Sequence, residues 1–455
     1  MSYSSIRQFY LSCLSQASYL VTDHASRQSI VVDPVRDVEQ YIAAADEAGA
    51  TIVGVVNTHF HADFVTGNQE LAAQTGAWIA MGDRAEAHFP FRPLADDQVI
   101  RIGATTARIW HTPGHTPESV CVLVGAGAQV EAALTGDTLF VGDVGRPDLV
   151  AAGGAEIGAP QMAVELHSSL QRLLTLPDSV AVLPAHGAGS SCGKNLSADT
   201  TSTVGRERRT NPMLAPMSVG EFVDLVTSDQ PEIPAYFSAT VRLNKQPRHS
   251  VSEPVCRPIS ADELAATLTP ETVVVDVRAA EQFADGHIRG AVNIGLDGRL
   301  AETAGMVLDF GKRFIIAATD ADTAAQAHRR FRRIGLDSID GYILPATDGF
   351  ELVSCARVLP AELPEPTAPC LLIDVRSPGE VASEGCVRGA INVPLVRLRA
   401  WLAEPGNRDR LLADGAVVYC AGGWRSSVAA SLLRAETGAA VRDVVGGYSA
   451  ISVVG

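Results

Sequence analysis

Thr58-His59-Phe60-His61-Ala62-Asp63-Phe64 is the stretch on which the reading of this chain turns. It follows an apolar run, Ile52 to Val56, whose composition reads as a buried strand. The motif therefore belongs on a loop at a strand's C-terminal end. Two imidazoles and a carboxylate within five positions can converge on a metal ion. Three later pieces suit the same site: His111-Thr112-Pro113-Gly114-His115, Thr135-Gly136-Asp137 and Pro184-Ala185-His186-Gly187. A lone H-x-H-x-D recurs by chance. Four pieces, each behind a β-like run and beside Gly or Pro, do not recur in that way.

This set resembles the metallo-β-lactamase fold, which presents ligands from loops along one edge of a sheet sandwich. The resemblance implies an αββα sandwich for about the first half of the chain. Dinuclear hydrolases of that fold read H-x-H-x-D-H, and the last His serves the second metal. Here that position is Phe64, and a phenyl ring cannot ligate. A single metal with fewer protein ligands is expected. Two histidines and one carboxylate with open positions suit non-haem Fe(II) that binds O2.

The flanking text narrows the resemblance. His115-Thr116-Pro117-Glu118-Ser119, Gly136-Asp137-Thr138-Leu139-Phe140 and Gly142-Asp143-Val144-Gly145-Arg146-Pro147-Asp148 are similar to the sulfur (persulfide) dioxygenase branch. Carried over, that resemblance implies one Fe(II) per chain, with zinc as the alternative, held by His59, His115 and Asp137. His61, Asp63, His186 and His111 would stand beside it, Asp63 and His61 orienting water or the ligands. Arg146 is the candidate for the charge of the substrate, by fork-like pairing with a carboxylate. The Gly- and Ser-rich stretch Gly187 to Asn195 holds Cys192 and Lys194 close behind His186. Two readings of Cys192 stay open: a thiol beside the substrate, or a small buried residue in a tight loop.

The 455 residues suggest about three domains of ordinary size. With 46% hydrophobic and 19% charged residues, the chain reads as soluble and globular with ample core. A net charge of −16 argues against nucleic acid or an anionic membrane as partner. No apolar run reaches membrane-spanning length, and the first residues lack a secretion signal's charged start and unbroken core. Eight scattered cysteines without C-x-x-C pairs suit free thiols in a reducing cytoplasm.

The second half contains a repeat. Val273-Val274-Val275-Asp276-Val277-Arg278 matches Leu371-Leu372-Ile373-Asp374-Val375-Arg376. Ile288-Arg289-Gly290-Ala291-Val292-Asn293 then matches Val387-Arg388-Gly389-Ala390-Ile391-Asn392. The period is too long for a solenoid unit, so two copies of one small α/β domain with a parallel sheet are expected. D-V-R followed by I-x-G-A-x-N resembles the rhodanese sulfurtransferase domain. In the second copy an apolar strand ends at Cys420, and Ala421-Gly422-Gly423-Trp424-Arg425-Ser426 turns into a helix. Inward N–H groups, the helix dipole and Arg425 all favour a thiolate there. Rhodanese active loops have this C-x-x-x-x-R form, which implies Cys420 as the sulfur-carrying nucleophile and Gly422, Gly423, Trp424 and Ser426 as its cradle. In the first copy an ungapped count back from Gly335 and Gly438 sets Ala317 opposite Cys420, with Asp320 and Asp322 opposite Gly423 and Arg425. That copy is expected to keep its packing and lack its chemistry.

The expected domains are 1–245, 258–350 and 357–455, with residues 246–258 as a linker and a homo-oligomer as the assembly. His24, His88, His167, His249, His287 and His328 carry no motif. The resemblances imply oxidation of a low-molecular-weight persulfide by O2 to sulfite, with sulfane sulfur moved to or from thiosulfate. One rival is a glyoxalase II-like thioester hydrolase with two zinc ions and a sulfurtransferase tail. Another is a sulfide- or persulfide-binding sensor without turnover.

Overall fold

The computed structural model describes residues 4–149, 157–228, 230, 232–248, 256–347, 349–363 and 369–454. Residues 249–255, the middle of the stretch read as a linker, and His249 with them lie outside these. The chain divides into two compact units, one of residues 1–253 with 333–335, the other of 254–332 with 336–455.

The first unit contains two six-stranded sheets. One opens with the hairpin Ser4–Leu11 and Gln16–Asp23 and continues through Gln28–Val32, Thr51–Val56, Trp78–Gly82 and the short edge strand Arg92–Leu94. The other runs from Val99–Ile102 through Thr105–His111, Val120–Ala126, Gln129–Gly136 and Ala181–Pro184 to Ser202–Thr203. Tyr19, Val21, Ile30 and Val56 of the first sheet pack against Ile109, Val122, Val124 and Leu134 of the second. Each such side chain contributes about 1.5–3 kcal/mol by leaving water. The outer face of the second sheet packs on helix Ala159–Leu173, whose Ala163, Leu166, Leu170 and Leu173 recur at helical spacing. Helices Glu39–Glu47 and Asn68–Thr75 cover the first sheet, giving an αββα sandwich.

Register aligns the site. Val32 pairs with Val56 in parallel, so Asp33 and Thr58 leave the sheet side by side. Gly136 pairs with Pro184 in parallel, which sets Asp137 beside His186. The Val120 N–H donates to the Thr58 carbonyl at 2.9 Å and ties the two sheets together at this end. Gly136 has φ +52°, and a Cβ on it would meet Thr58 Oγ1 at 2.7 Å. Only glycine permits the turn that brings Asp137 inward.

In the second unit, two four-stranded parallel sheets have the same strand order. The first is built from Val292–Asn293, Thr272–Asp276, Arg313–Ala317 and Ile339–Ile343. The second is built from Ile391–Asn392, Leu371–Asp374, Ala416–Tyr419 and Val441–Asp443. The eight cysteines are all free. No helix among the described residues is long and apolar enough to cross a membrane.

Candidate metal centre and sulfur-transfer loop

The loop after Thr51–Val56, the loop after Thr105–His111 and the turn after Gln129–Gly136 bring His59, His115 and Asp137 together. Their ligand atoms lie within 4.8 Å of one another, and all three residues are buried. His115 Nε2 is 3.4 Å and His59 Nε2 3.8 Å from Asp137 Oδ2. Both rings are held from behind. The Arg146 carbonyl accepts from His115 Nδ1 at 3.0 Å, and Thr58 Oγ1 lies 2.9 Å from His59 Nδ1. That leaves each Nε2 facing Asp137. Gly145 allows the close approach, since a Cβ there would fall 1.8 Å from the Asp137 carbonyl oxygen.

Burial holds His59 well below the ordinary imidazole range, and the neighbouring imidazoles push the same way. Burial likewise lowers His115 to about 4. Asp137 is raised to about 6 by burial, with Asp63 and Asp33 adding to it against the pull of His186 and His61. Both Asp137 oxygens are buried without a hydrogen-bond partner. Neutral imidazoles around an unsatisfied carboxylate are a donor set that a cation completes. The residues present therefore fit a metal.

A second cluster joins His61, Asp63 and His186. His186 Nε2 lies 3.5 Å from Asp63 Oδ2 and 3.6 Å from Asp137 Oδ1. Phe64 is fully buried with its ring 4.3 Å from that of His61, so a phenyl face fills the place of a sixth-position donor. His61 Nε2 stands 3.0 Å from Asp33 Oδ1. Burial lowers the His61 pKa, but the Asp33 carboxylate outweighs it and the net shift is upward.

Sequence reading missed two residues here. Asp33, at φ +52°, accepts from the Thr58 N–H and Thr58 Oγ1, both at 2.8 Å, and so braces the motif from its first residue. Asn244, on helix Phe237–Lys245, donates to the carbonyls of His61 and Phe64, each at 2.8 Å. Its Oδ1 accepts from Thr66 N–H at 2.9 Å. The Asp33-Pro34 strand ending was a signal for the first, whereas no local pattern marks the second.

Other sequence-selected residues lie elsewhere or are already engaged. His111 Nε2 is 2.8 Å from the Leu94 carbonyl and belongs to none of the clusters. Arg146 is buried and forks onto Asp148 at 2.8 and 2.6 Å, with Nη1 on the Ser191 carbonyl at 3.1 Å. The fork expected for a substrate carboxylate is thus spent on the chain, and the residue instead fixes His115 through its carbonyl. Lys194 Nζ donates to the Ser228 carbonyl at 2.6 Å, and its N–H donates to Asp143. Cys192 is buried with its sulfur within 4.8 Å of ligand atoms of Asp137 and His186. Burial, then Asp63 and Asp137, pushes its thiol well above the usual range.

In the second unit, Cys420 follows strand Ala416–Tyr419 and is 1% exposed. The Gly423 N–H donates to its sulfur at 3.1 Å, and Ser426 Oγ lies 3.6 Å away. Helix Trp424–Thr437 starts at once behind this turn, where Gly423 takes φ +93°. Gly422 is exposed beside it. Arg425 forks onto Glu380 at 2.8 and 2.6 Å, and this pairing depresses Glu380 to about 2. Trp424 packs on the first copy: a Cβ at Gly298 would fall 2.2 Å from the indole. On the same helix, Ser427 Oγ donates to Asn293 Oδ1 at 2.6 Å, and the Asn293 N–H donates to Ser431 Oγ at 2.9 Å.

The sheet register corrects the ungapped count in the first copy. Asp374 pairs with Tyr419, whereas the matching Asp276 pairs with Ala317. The Val375 N–H donates to the Tyr419 carbonyl as the Val277 N–H donates to that of Ala317. Ala317 therefore stands opposite Tyr419, and Ala318 opposite Cys420. Asp320 and Asp322 then match Gly422 and Trp424. The count failed because it allowed no extra residue between this loop and Gly438.

Residues 11–186 match the metallo-beta-lactamase superfamily, and residues 260–342 and 359–453 each match the rhodanese-like domain. The mitochondrial persulfide dioxygenase ETHE1 of Homo sapiens is 30% identical over 227 residues, 49% of this chain and 80% of that protein. A beta-lactamase hydrolase-like protein of Xylella fastidiosa is 29% identical over 241 residues, 46% of this chain, and the chain spans 52% of its length. A crystal structure of a metallo-beta-lactamase from Staphylococcus aureus superposes with a TM-score of 0.68 at 32% identity, covering 76% of this chain and 100% of that one. The chain belongs to the metallo-β-lactamase superfamily, and two rhodanese-like domains follow its sandwich.

Proposed function

We propose that the first unit oxidises a low-molecular-weight persulfide, such as glutathione persulfide, with O2 at a single iron, and that the second moves sulfane sulfur through Cys420. Persulfide, O2 and water give thiol and sulfite. At Cys420 a thiolate takes the outer sulfur of thiosulfate, the S–S bond breaks, and sulfite leaves with the electron pair; the reverse step makes thiosulfate. The carrying observation is the buried triad His59, His115 and Asp137 with a phenyl ring at Phe64. Likeness to a persulfide dioxygenase and the two rhodanese-like matches support the same reading.

His59, His115 and Asp137 would hold iron(II), which would supply the redox chemistry that protein side chains lack. The protein's part is positioning. The Arg146 carbonyl and Thr58 aim the two rings, while Asn244 and Asp33 hold the backbone that carries His59, His61 and Asp63. Burial keeps bulk water off the oxidised sulfur. At the other site, the Gly423 N–H and the start of helix Trp424–Thr437 stabilise the Cys420 thiolate and its persulfide.

Metal analysis with oxygen uptake on glutathione persulfide tests this. Iron-loaded protein should consume O2 with about one iron per chain, the count a two-histidine, one-carboxylate site predicts. His59→Ala or Asp137→Ala should lose iron and oxygen uptake together. Thioester hydrolysis by zinc-loaded protein, with no oxygen uptake by the iron-loaded form, would overturn it.

A further inference from the structure

We infer that Arg333 is a positioning residue for the metal centre, tying together the three loops that brace the Thr58 to Phe64 motif and its neighbours. The inference rests on the reading that His59, His115 and Asp137 hold a metal. Residues 333–335 fall inside the rhodanese-like match at 260–342, yet they belong to the first compact unit.

The backbone of this segment completes the motif loop. The Val65 N–H donates to the Arg333 carbonyl at 2.6 Å. On either side of it, Asn244 donates to the Phe64 carbonyl and accepts from the Thr66 N–H. Phe64 and Val65 are buried, so water cannot stand in for these partners. Ile334 is fully buried, and its carbonyl accepts from Thr240 Oγ1 at 3.5 Å. Gly335 takes φ +88°, and a Cβ there would meet Leu243 Cδ1 at 2.3 Å and Val65 Cγ2 at 3.2 Å. Glycine lets the segment turn in so close a space.

The side chain reaches the other two loops. Its guanidinium is 15% exposed; Nε donates to Asp37 Oδ2 at 2.6 Å, and Nη1 donates to Cys13 Sγ at 3.3 Å. Asp37 lies on the loop between Gln28–Val32 and Glu39–Glu47. That loop also carries Asp33, which accepts from the Thr58 N–H and stands 3.0 Å from His61 Nε2. Cys13 lies in the turn between Ser4–Leu11 and Gln16–Asp23. The same turn carries Ser15, whose carbonyl accepts from His186 Nδ1 at 3.1 Å. One residue thus holds the supports of His61 and His186 with its side chain, and the backbone that follows Asp63 with its carbonyl. A charge-assisted bond from a planar, rigid fork suits this task, because it fixes direction as well as distance.

The test reads metal binding rather than oxygen uptake. Metal-free full-length protein is titrated with Co2+ and followed by the visible ligand-field band, which reports the geometry around the ion. Arg333→Ala should lower Co2+ affinity about tenfold and change the band, as loss of an outer support does at other metal sites. Circular dichroism and sulfurtransferase turnover at Cys420 should match wild type, which separates positioning from unfolding. Asp37→Asn, which keeps the shape and removes the charge, should move affinity and band in the same direction. Combined with Arg333→Ala it should add nothing further, because the two residues act as one pair. Added guanidinium should restore part of the affinity of Arg333→Ala and none of that of Asp37→Asn. Wild-type affinity and band in both single variants would overturn the inference while leaving the metal reading intact. Failure of the wild-type protein to take up Co2+ would overturn that reading, and the inference with it.

Discussion

In the first rhodanese-like copy, Arg278 folds back onto Asp276 at 2.9 Å and onto the Gly286 carbonyl at 2.7 Å. In the second, Arg376 does the same with Asp374 at 3.1 Å and the Gly385 carbonyl at 2.6 Å. Asn293 donates to the carbonyls of Asp276 and Arg278, and Asn392 to those of Asp374 and Arg376. The shared motif is thus a scaffold, satisfying buried backbone groups in both copies. The difference lies where the strand meets the helix. In the second copy an N–H points at a sulfur. In the first, Asp320 accepts from the Thr323 N–H at 2.7 Å and caps helix Ala321–Arg332. A carboxylate of the chain occupies the role that a substrate anion would take. The packing that the two copies share is thus carried by other residues than the loops in which they differ.

The largest expected effect is on that division. Cys420→Ser should lower thiosulfate sulfurtransferase turnover by about 10³-fold or more, because no other group there can carry sulfur. Oxygen uptake on a small persulfide should continue, with product shifting from thiosulfate towards sulfite. Parallel loss of both activities in a folded variant would erase the distinction between scaffold and active copy.

A smaller effect tests the loop of the first copy. Ala318→Cys in the Cys420→Ser background should stay below about one-hundredth of wild-type turnover with thiosulfate and cyanide, since a thiol without an anion cradle is a poor sulfur carrier. Adding Asp320→Gly should raise that residue of activity. Substantial turnover by Ala318→Cys without it would mean that the loop still binds anions.

The smallest concerns Glu380, whose carboxyl falls from 4.5 to about 2, chiefly through Arg425. A depressed carboxyl contributes stability above its unfolded pKa and loses it as pH falls through the folded one. Glu380→Gln should therefore flatten the loss of stability between about pH 4.5 and 2. At neutral pH it should cost no more than about 1 kcal/mol, the pair being only part-buried. Freed from its partner, Arg425 should also lower the KM for thiosulfate by about threefold at low salt. An unchanged acid profile, read by thermal melts, would remove the pair from the account.

The strand-end pieces were legible because glycine and proline punctuate the places where the backbone must turn, and each piece carries its chemistry beside that punctuation. Asn244 and Glu380 were not, because each meets its partner across a long stretch of chain that no local periodicity spans. Arg146 was read by its charge alone, and burial decided otherwise. The repeated sheets follow from continuous apolar runs such as Val273 to Val275 and Leu371 to Ile373. Edge strand Arg92–Leu94 is too short and too polar to announce itself.

The contact of Gly298 with Trp424, and of Asn293 with Ser427, places a demand on the copy that has no nucleophile. Its loop is open to substitution where no side chain is buried or caps the helix, since Cys420 has no cysteine counterpart there. The face that receives the indole is not, since any side chain at Gly298 would press on the loop that carries Cys420. Tolerance to mutation in this copy should thus follow a boundary drawn by its neighbour: permissive at the exposed Ala321 and Asp322, intolerant at Gly298. The inheritance of the Cys420 loop thus extends into a neighbouring domain whose own loop has no cysteine at that place.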